Sequence, residues 1–187
     1  MSGTRKIRMS RLYYQLLLLF GTFKKLFFLN QFTAGKNFKL YASGGVIGGI
    51  DKVKIGNNVI LHGWLISDGG TIILGDNVTI HKNTIIRSME KVEIGSHTDI
   101  GAQCFIQDHN SMSLDFKERR NKGGNVSHSP INIGSDVWIA RNVTILKGVT
   151  VGDRAIVGTG AIVTKNVPKE YLAAGNPAQN LKHIKAN

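Results

Sequence analysis

Aliphatic residues return every six positions along most of residues 45–165, many of them followed by glycine or a small residue. One series runs Ile55-Gly56-Asn57-Asn58-Val59 and on to Leu61, and a second runs Leu74-Gly75-Asp76-Asn77-Val78, then Ile80 and Ile86. A third holds Ile94-Gly95, Ile100-Gly101 and Ile106. The longest, Ile133, Ile139, Ile145, Val151, Val157 and Val163, keeps a strict step of six. On a 3.6-residue helix such positions would march around the whole circumference, and neither βαβ units nor sandwiches require a period of six. Three such steps close one triangular coil of about 18 residues, each flat face a short strand and each corner a tight turn. The aliphatic side chain points into the prism, and the small residue beside it lets the backbone turn. The pattern predicts an all-β, parallel β-helix.

Coil starts test the register. Ile55 to Leu74 is 19 residues and Leu74 to Ile94 is 20, so one or two extra residues sit at corners. Ile94 to Ile133 is 39, one coil plus 21. The surplus falls on Asp108–Ser129, where the hexads stop and the chain turns polar and charged. Long patternless loops inside a regular body are often functional. The organisation expected is an N-terminal region over 1–37, a β-helix over 38–166 with a protruding loop over 108–129, and a cap over 167–187. The cap, with its basic tail of Lys182, His183 and Lys185, is expected as a helix or an extended segment over the last coil.

Ahead of the hexads, Leu12, Leu16, Phe20, Phe23 and Phe27 recur at steps of three and four, with Arg8, Arg11, Gln15, Thr22 and Lys25 opposite. This predicts an amphipathic helix over Met9–Phe32. Gln15, Gly21 and Lys24-Lys25 interrupt the ~20 apolar residues that a membrane span needs, and no small-residue cleavage site follows the apolar run. Two roles stay open: a lid on the open end of the prism, or a basic helix lying on an anionic membrane surface. Charge bears on this choice. Of the net +12, residues 1–50 supply eight Lys/Arg and no acid, leaving +4 for the remainder. The lone Cys104, within an apolar stretch, is expected to be a buried structural thiol in a reducing, cytoplasmic setting.

The segment from Ile133 to Ile184 resembles the C-terminal half of the hexapeptide-repeat acetyltransferases. The likeness is to their maltose, galactoside and surface-polysaccharide O-acetyltransferase branch. Val137-Trp138-Ile139-Ala140, Val163-Thr164-Lys165 and Gly175-Asn176-Pro177-Ala178 carry that resemblance. It implies a left-handed β-helix, a homotrimer with each site in a cleft between two prisms, and acetyl-CoA as co-substrate. His109, in Gln107-Asp108-His109-Asn110, matches the family's histidine at the start of the protruding loop. Trp138, Ala140 and Arg141 would line the pantetheine arm. Thr159, Thr164 and Lys165 would follow it toward the nucleotide, with Lys182 as a phosphate contact. Gln179 stands where the galactoside branch often carries a basic residue.

The chemistry is that of direct acyl transfer. A sugar hydroxyl needs a base as it attacks a thioester, and histidine titrates near neutral pH. Backbone N–H groups at corners can hold the oxyanion. Asp108 or a carbonyl would orient the ring, although adjacent side chains normally point apart. The bland reading of His109 is a solvated loop histidine, and of Trp138 an interface packer. Lys117, Arg119, Arg120 and Lys122 form either a solvated face or a site for an acidic sugar polymer or CoA phosphates. His62, His81, His97 and His128 are expected mostly at the surface. The acceptor expected is a polymeric or lipid-linked saccharide, a capsule or lipopolysaccharide glycan, met in the cytoplasm or at the inner face of the membrane. N-acetylation of an amino sugar or antibiotic and a non-catalytic scaffold are the alternatives. Metal chemistry of the γ-carbonic anhydrase kind is not expected, because the six histidines are widely spaced and show no close pair of ligands. Nucleic-acid binding is not expected either, because the basic excess lies on an apolar helix rather than an aromatic-studded platform.

Overall fold

The computed structural model describes residues 32–49, 51–120 and 126–184, with Gln15 and Leu19 as isolated helical positions. The helix expected over Met9–Phe32, apart from those two and Phe32, and also Lys122 of the basic loop, lie outside the described residues. Among the described residues no helix is long and apolar enough to cross a membrane.

The chain winds as a parallel β-solenoid of about seven turns, visiting three sheets in rotation. Sheet A stacks β1 (Thr33–Ala34), β4 (Val53–Ile55), β7 (Thr71–Leu74), β10 (Lys91–Ile94), β13 (Ile131–Ile133) and β16 (Thr150–Val151). Sheet B stacks β2 (Lys39–Leu40), β5 (Ile60–Leu61), β8 (Thr79–Ile80), β11 (Asp99–Ile100), β14 (Trp138–Ile139) and β17 (Ile156–Val157). Sheet C stacks β3 (Gly45–Ile47), β6 (Trp64–Ser67), β9 (Ile85–Ser88), β12 (Phe105–Gln107), β15 (Thr144–Ile145) and β18 (Ile162–Val163). The register is the one the hexads imply: Ile55 faces Leu74, Leu74 faces Ile94, Ile94 faces Ile133, and Ile133 faces Val151. Each aliphatic hexad residue is buried, so the core is a continuous column of Ile, Leu and Val, and among the described residues no helix packs against it.

The small residue after each aliphatic has two jobs at the corner between sheets A and B. Glycine lets the neighbouring coil approach, and the Asn or Asp that follows caps the coil before it. Asn57 Oδ1 accepts from Lys36 N–H at 2.8 Å, Asp76 Oδ1 from Asn57 N–H at 2.7 Å, and Asp153 Oδ1 from Ser135 N–H at 2.8 Å. A side chain at Gly101, on the corner between sheets B and C, would stand 2.7 Å from the backbone of both Ala140 and Arg141. Backbone cannot yield as a flexible side chain can. Gly101→Val is therefore expected to cost about 1–3 kcal/mol, read as a lower thermal midpoint.

The C-terminal cap is extended. β19 (Tyr171–Gly175) continues sheet B, and β20 (Ala178–His183) folds back on it antiparallel, with Asn176-Pro177 at the tip. Cys104 is buried, its thiol 3.1 Å from the Ala140 carbonyl, and burial pushes its pKa up.

His81, His97 and His128 are exposed, as the sequence suggests, but His62 is partly buried in a column. Its ring stacks on Tyr41 at 3.8 Å and lies parallel to His81 at 6.4 Å. Burial first, then the neighbouring His81 and Lys82, lower its pKa to about 4. Because the folded value lies below the unfolded one, the unfolded chain takes up this proton first. Stability is then lost as pH falls from about 6.5 toward 4. His62→Phe is expected to flatten the thermal midpoint across that window.

Candidate active site

The corner between sheets C and A is where the solenoid departs from six-residue steps. From the inward residue of sheet C to that of sheet A the chain takes six residues in the late coil (Ile145 to Val151), but eight from Ile86 to Ile94 and nine from Leu65 to Leu74. The flanking strands are longer there too, four residues rather than two. The extra residues, around Asp68 and Met89, wall a recess of about 220 Å³. The next coil leaves the prism at the same corner, directly after β12.

Asp108 is the first residue of that departure and is fully buried. Its carboxylate gathers the donors of the widened turn beneath it. Ser88 Oγ, Glu90 N–H and Lys91 N–H reach Oδ2 at 2.8, 2.9 and 2.8 Å, and Met89 N–H reaches Oδ1 at 2.8 Å. The same Oδ1 lies 2.9 Å from His109 Nδ1. Burial pushes the Asp108 carboxyl upward, yet the hydrogen bonds from Met89, the His109 ring, Glu90 and Ser88 together hold it below the usual carboxylate value. An ionised carboxylate only accepts, so Nδ1 of His109 carries a proton, and in the neutral ring the lone pair is on Nε2.

Strand alternation would send adjacent side chains apart, and here it does not. Alternation ends at Gln107 because the backbone turns out of the coil and pairs with the returning loop. His109 bridges His128 antiparallel, Asn110 N–H donates to the Ser127 carbonyl at 2.9 Å, and Ser129 N–H to the Asp108 carbonyl at 2.8 Å. Gln107 Nε2 donates to the His109 carbonyl at 2.7 Å, which fixes the exit further. The excursion is thus tied at its neck. His109 is a buried, oriented imidazole, 7% exposed, and the solvated-loop reading does not describe it.

Nε2 faces the recess, which Asp68, Arg87, Met89, Asn110, Ser111 and Val126 line with it. Asp68 Oδ2 lies 3.7 Å from Nε2. Arg87 grips Asp68 through both nitrogens of its fork, Nε to Oδ2 and Nη2 to Oδ1, each at 2.9 Å. The grip raises the Arg87 pKa. Sequence reading missed Asp68, Arg87 and Ser88. The signal available was the lengthened step at this one corner, which marks where the prism opens.

The remaining expected residues divide across the two edges of sheet C. Ala140, Arg141 and Thr159 lie on the corner between sheets B and C, where Ala140 is buried and Arg141 donates to Gln103 Oε1 at 2.8 Å. Thr164 and Lys165 lie exposed on the corner shared with His109, two coils further on. Trp138 projects from sheet B, 54% exposed, and Lys182 lies exposed on β20. One chain does not bring these groups together. Lys117, Arg119 and Arg120 lie on α1 (Phe116–Arg120), exposed, with Lys117 and Arg120 over the Phe116 ring. None of the three lines the recess. Among the described residues no group of three or more His, Cys, Asp or Glu is placed to hold a metal ion.

Residues 130–165 match the family "Bacterial transferase hexapeptide (six repeats)". The putative lipopolysaccharide biosynthesis O-acetyl transferase WbbJ of Escherichia coli K12 is 33% identical over 119 residues, covering 60% of this chain and 61% of that protein. The match thus spans less than two thirds of that relative's length. A galactoside acetyltransferase solved in complex with coenzyme A is 28% identical with a TM-score of 0.57, over 82% of this chain and 65% of that one. AntD, an N-acyltransferase from Bacillus cereus solved with dTDP and 3-hydroxybutyryl-CoA, is alike in fold at a TM-score of 0.74. It is 20% identical over 87% of this chain and 88% of its own. Repeat, solenoid and relatives agree: residues 130–165 carry the bacterial transferase hexapeptide repeat, and the chain is similar to hexapeptide-repeat acetyltransferases over about 60% of its length.

Proposed function

We propose that this protein moves an acetyl group from acetyl-CoA to a hydroxyl of a saccharide, with His109 as the general base. The observation that carries this reading is the Asp108–His109 pair: a buried imidazole whose Nδ1 is held by a carboxylate and whose Nε2 faces a recess. In the reaction Nε2 takes the acceptor's hydroxyl proton as the oxygen attacks the thioester carbon. The C–O bond forms, backbone N–H groups hold the oxyanion, and the C–S bond then breaks. The imidazolium returns its proton to the departing thiolate. Asp108 stabilises the imidazolium between those two transfers, and no covalent enzyme intermediate is needed.

The donor site in this reading is shared between chains of a trimer. Two features support it: Arg141 and Thr159 lie across sheet C from His109, Thr164 and Lys165, and the outer face of sheet C carries exposed Ile47, Phe105 and Leu146. A cleft between neighbours would join the two edges and cover that apolar face. The acceptor is a surface glycan, capsule or lipopolysaccharide in type, in keeping with the named role of the Escherichia coli relative. The test is acetyl-CoA consumption and free-thiol release against a panel of neutral and acidic surface glycans. Acceptor-dependent release supports the proposal, and a protein that binds no CoA overturns it.

A further inference from the structure

The mechanism leaves one charged pair beside the base unused. Asp68 and Arg87 come from the two coils before the one that carries His109 and meet on the recess wall. A partly exposed pair of this kind adds only about 0–1 kcal/mol to stability, so stability alone gives little reason for its place opposite Nε2. The fork does two things to the carboxylate. It fixes both oxygens in one orientation, and it cancels the charge while leaving each oxygen able to accept one more hydrogen bond. Asp68 is thus a rigid acceptor 3.7 Å from the catalytic nitrogen. Hydroxyl oxygens on neighbouring ring carbons of a sugar stand about as far apart as two hydrogen-bonded oxygens, roughly 2.8 Å. One can meet Nε2 while the other donates to Oδ2.

We propose that Asp68, clamped by Arg87, reads a hydroxyl adjacent to the one acetylated, so that the acceptor presents a vicinal diol. The assignment rests on acetyl transfer at His109. It makes Asp68 a specificity-determining residue: a sugar lacking the adjacent hydroxyl leaves the carboxylate without its partner, and a sugar with a carboxylate there is repelled. With Arg87 cancelling the charge of Asp68, the pair favours a neutral polyol edge over an ammonium group.

The experiment is a cycle between protein and substrate. The full chain and its Asp68→Asn and Asp68→Ala variants are assayed with acetyl-CoA and the methyl glycosides of galactose, glucose and mannose. Each glycoside is paired with its monodeoxy counterparts, and His109→Ala serves as the blank. Wild type is expected to disfavour the counterpart lacking the adjacent hydroxyl by at least tenfold in kcat/KM. In Asp68→Ala that discrimination falls to within about twofold, with the loss concentrated in the acceptor's KM rather than that of acetyl-CoA. A merely structural pair would weaken all acceptors alike and keep the discrimination, and that result overturns the assignment. Turnover to water but to none of the diol glycosides also overturns it. If wild type shows no His109-dependent consumption of acetyl-CoA, the transfer reading itself fails and takes this assignment with it.

Discussion

Replacing His109 with alanine is expected to lower kcat/KM for acetyl transfer by about 10²–10⁴-fold, the range that a positioned general base contributes. The imidazole stands at the recess with one nitrogen anchored on Asp108 and the other facing the space where an acceptor would sit. The loss falls on the chemical step. CoA affinity is expected to change little, because the residues assigned to the donor lie on later coils of the solenoid. Steady-state thiol release together with CoA titration checks both halves. A variant that keeps more than a tenth of wild-type activity removes His109 from the role of base.

Asp108→Asn is expected to damage both stability and activity, and that combination separates it from His109→Ala. Four donors besides the His109 ring converge on this carboxylate. An amide offers one accepting oxygen and puts an NH₂ group against the rest, and each buried donor left unpaired costs about 1–3 kcal/mol. The His109 ring also loses the partner that fixes its tautomer, so transfer is expected to drop at least 10²-fold. Linkage gives the sign of the pH effect. The folded pKa of Asp108 is held below its unfolded value, so its stabilisation is present above about pH 4 and is lost as pH falls through the folded value. Thermal midpoints of wild type and variant are therefore expected to differ most at neutral pH and to converge in acid. A constant gap across that range would mean that the carboxylate is not ionised in the fold.

The solenoid was legible because its core is periodic. Each inward position of Ile133, Ile139, Ile145, Val151, Val157 and Val163 is a separate reading of one rule, and the register follows by counting. The exit point of the loop was legible for the same reason, since the pattern stops at Gln107. His109 came from the resemblance and from its place at that exit. Asp68 and Arg87 were not legible, because their meeting depends on coil lengths at one corner and on nothing within either local sequence. Asp108 was undervalued for a related reason: strand alternation argues that neighbours diverge, and only the loop's return past His128 breaks the alternation. The residues assigned to the donor by resemblance show the opposite limit. Their positions are plain in the sequence, but they lie on opposite edges of sheet C and converge only if a second chain closes the gap.

The most direct test of the central claim is to identify the product. Purified protein, acetyl-CoA and a panel of glycans would be analysed by mass spectrometry, with each acetylated product then treated with hydroxylamine. The account predicts a saccharide heavier by one acetyl group, formed only with His109 intact, whose label hydroxylamine removes because it is an ester. A hydroxylamine-stable amide on an amino sugar, or no acetylated saccharide while acetyl-CoA is consumed, would contradict it.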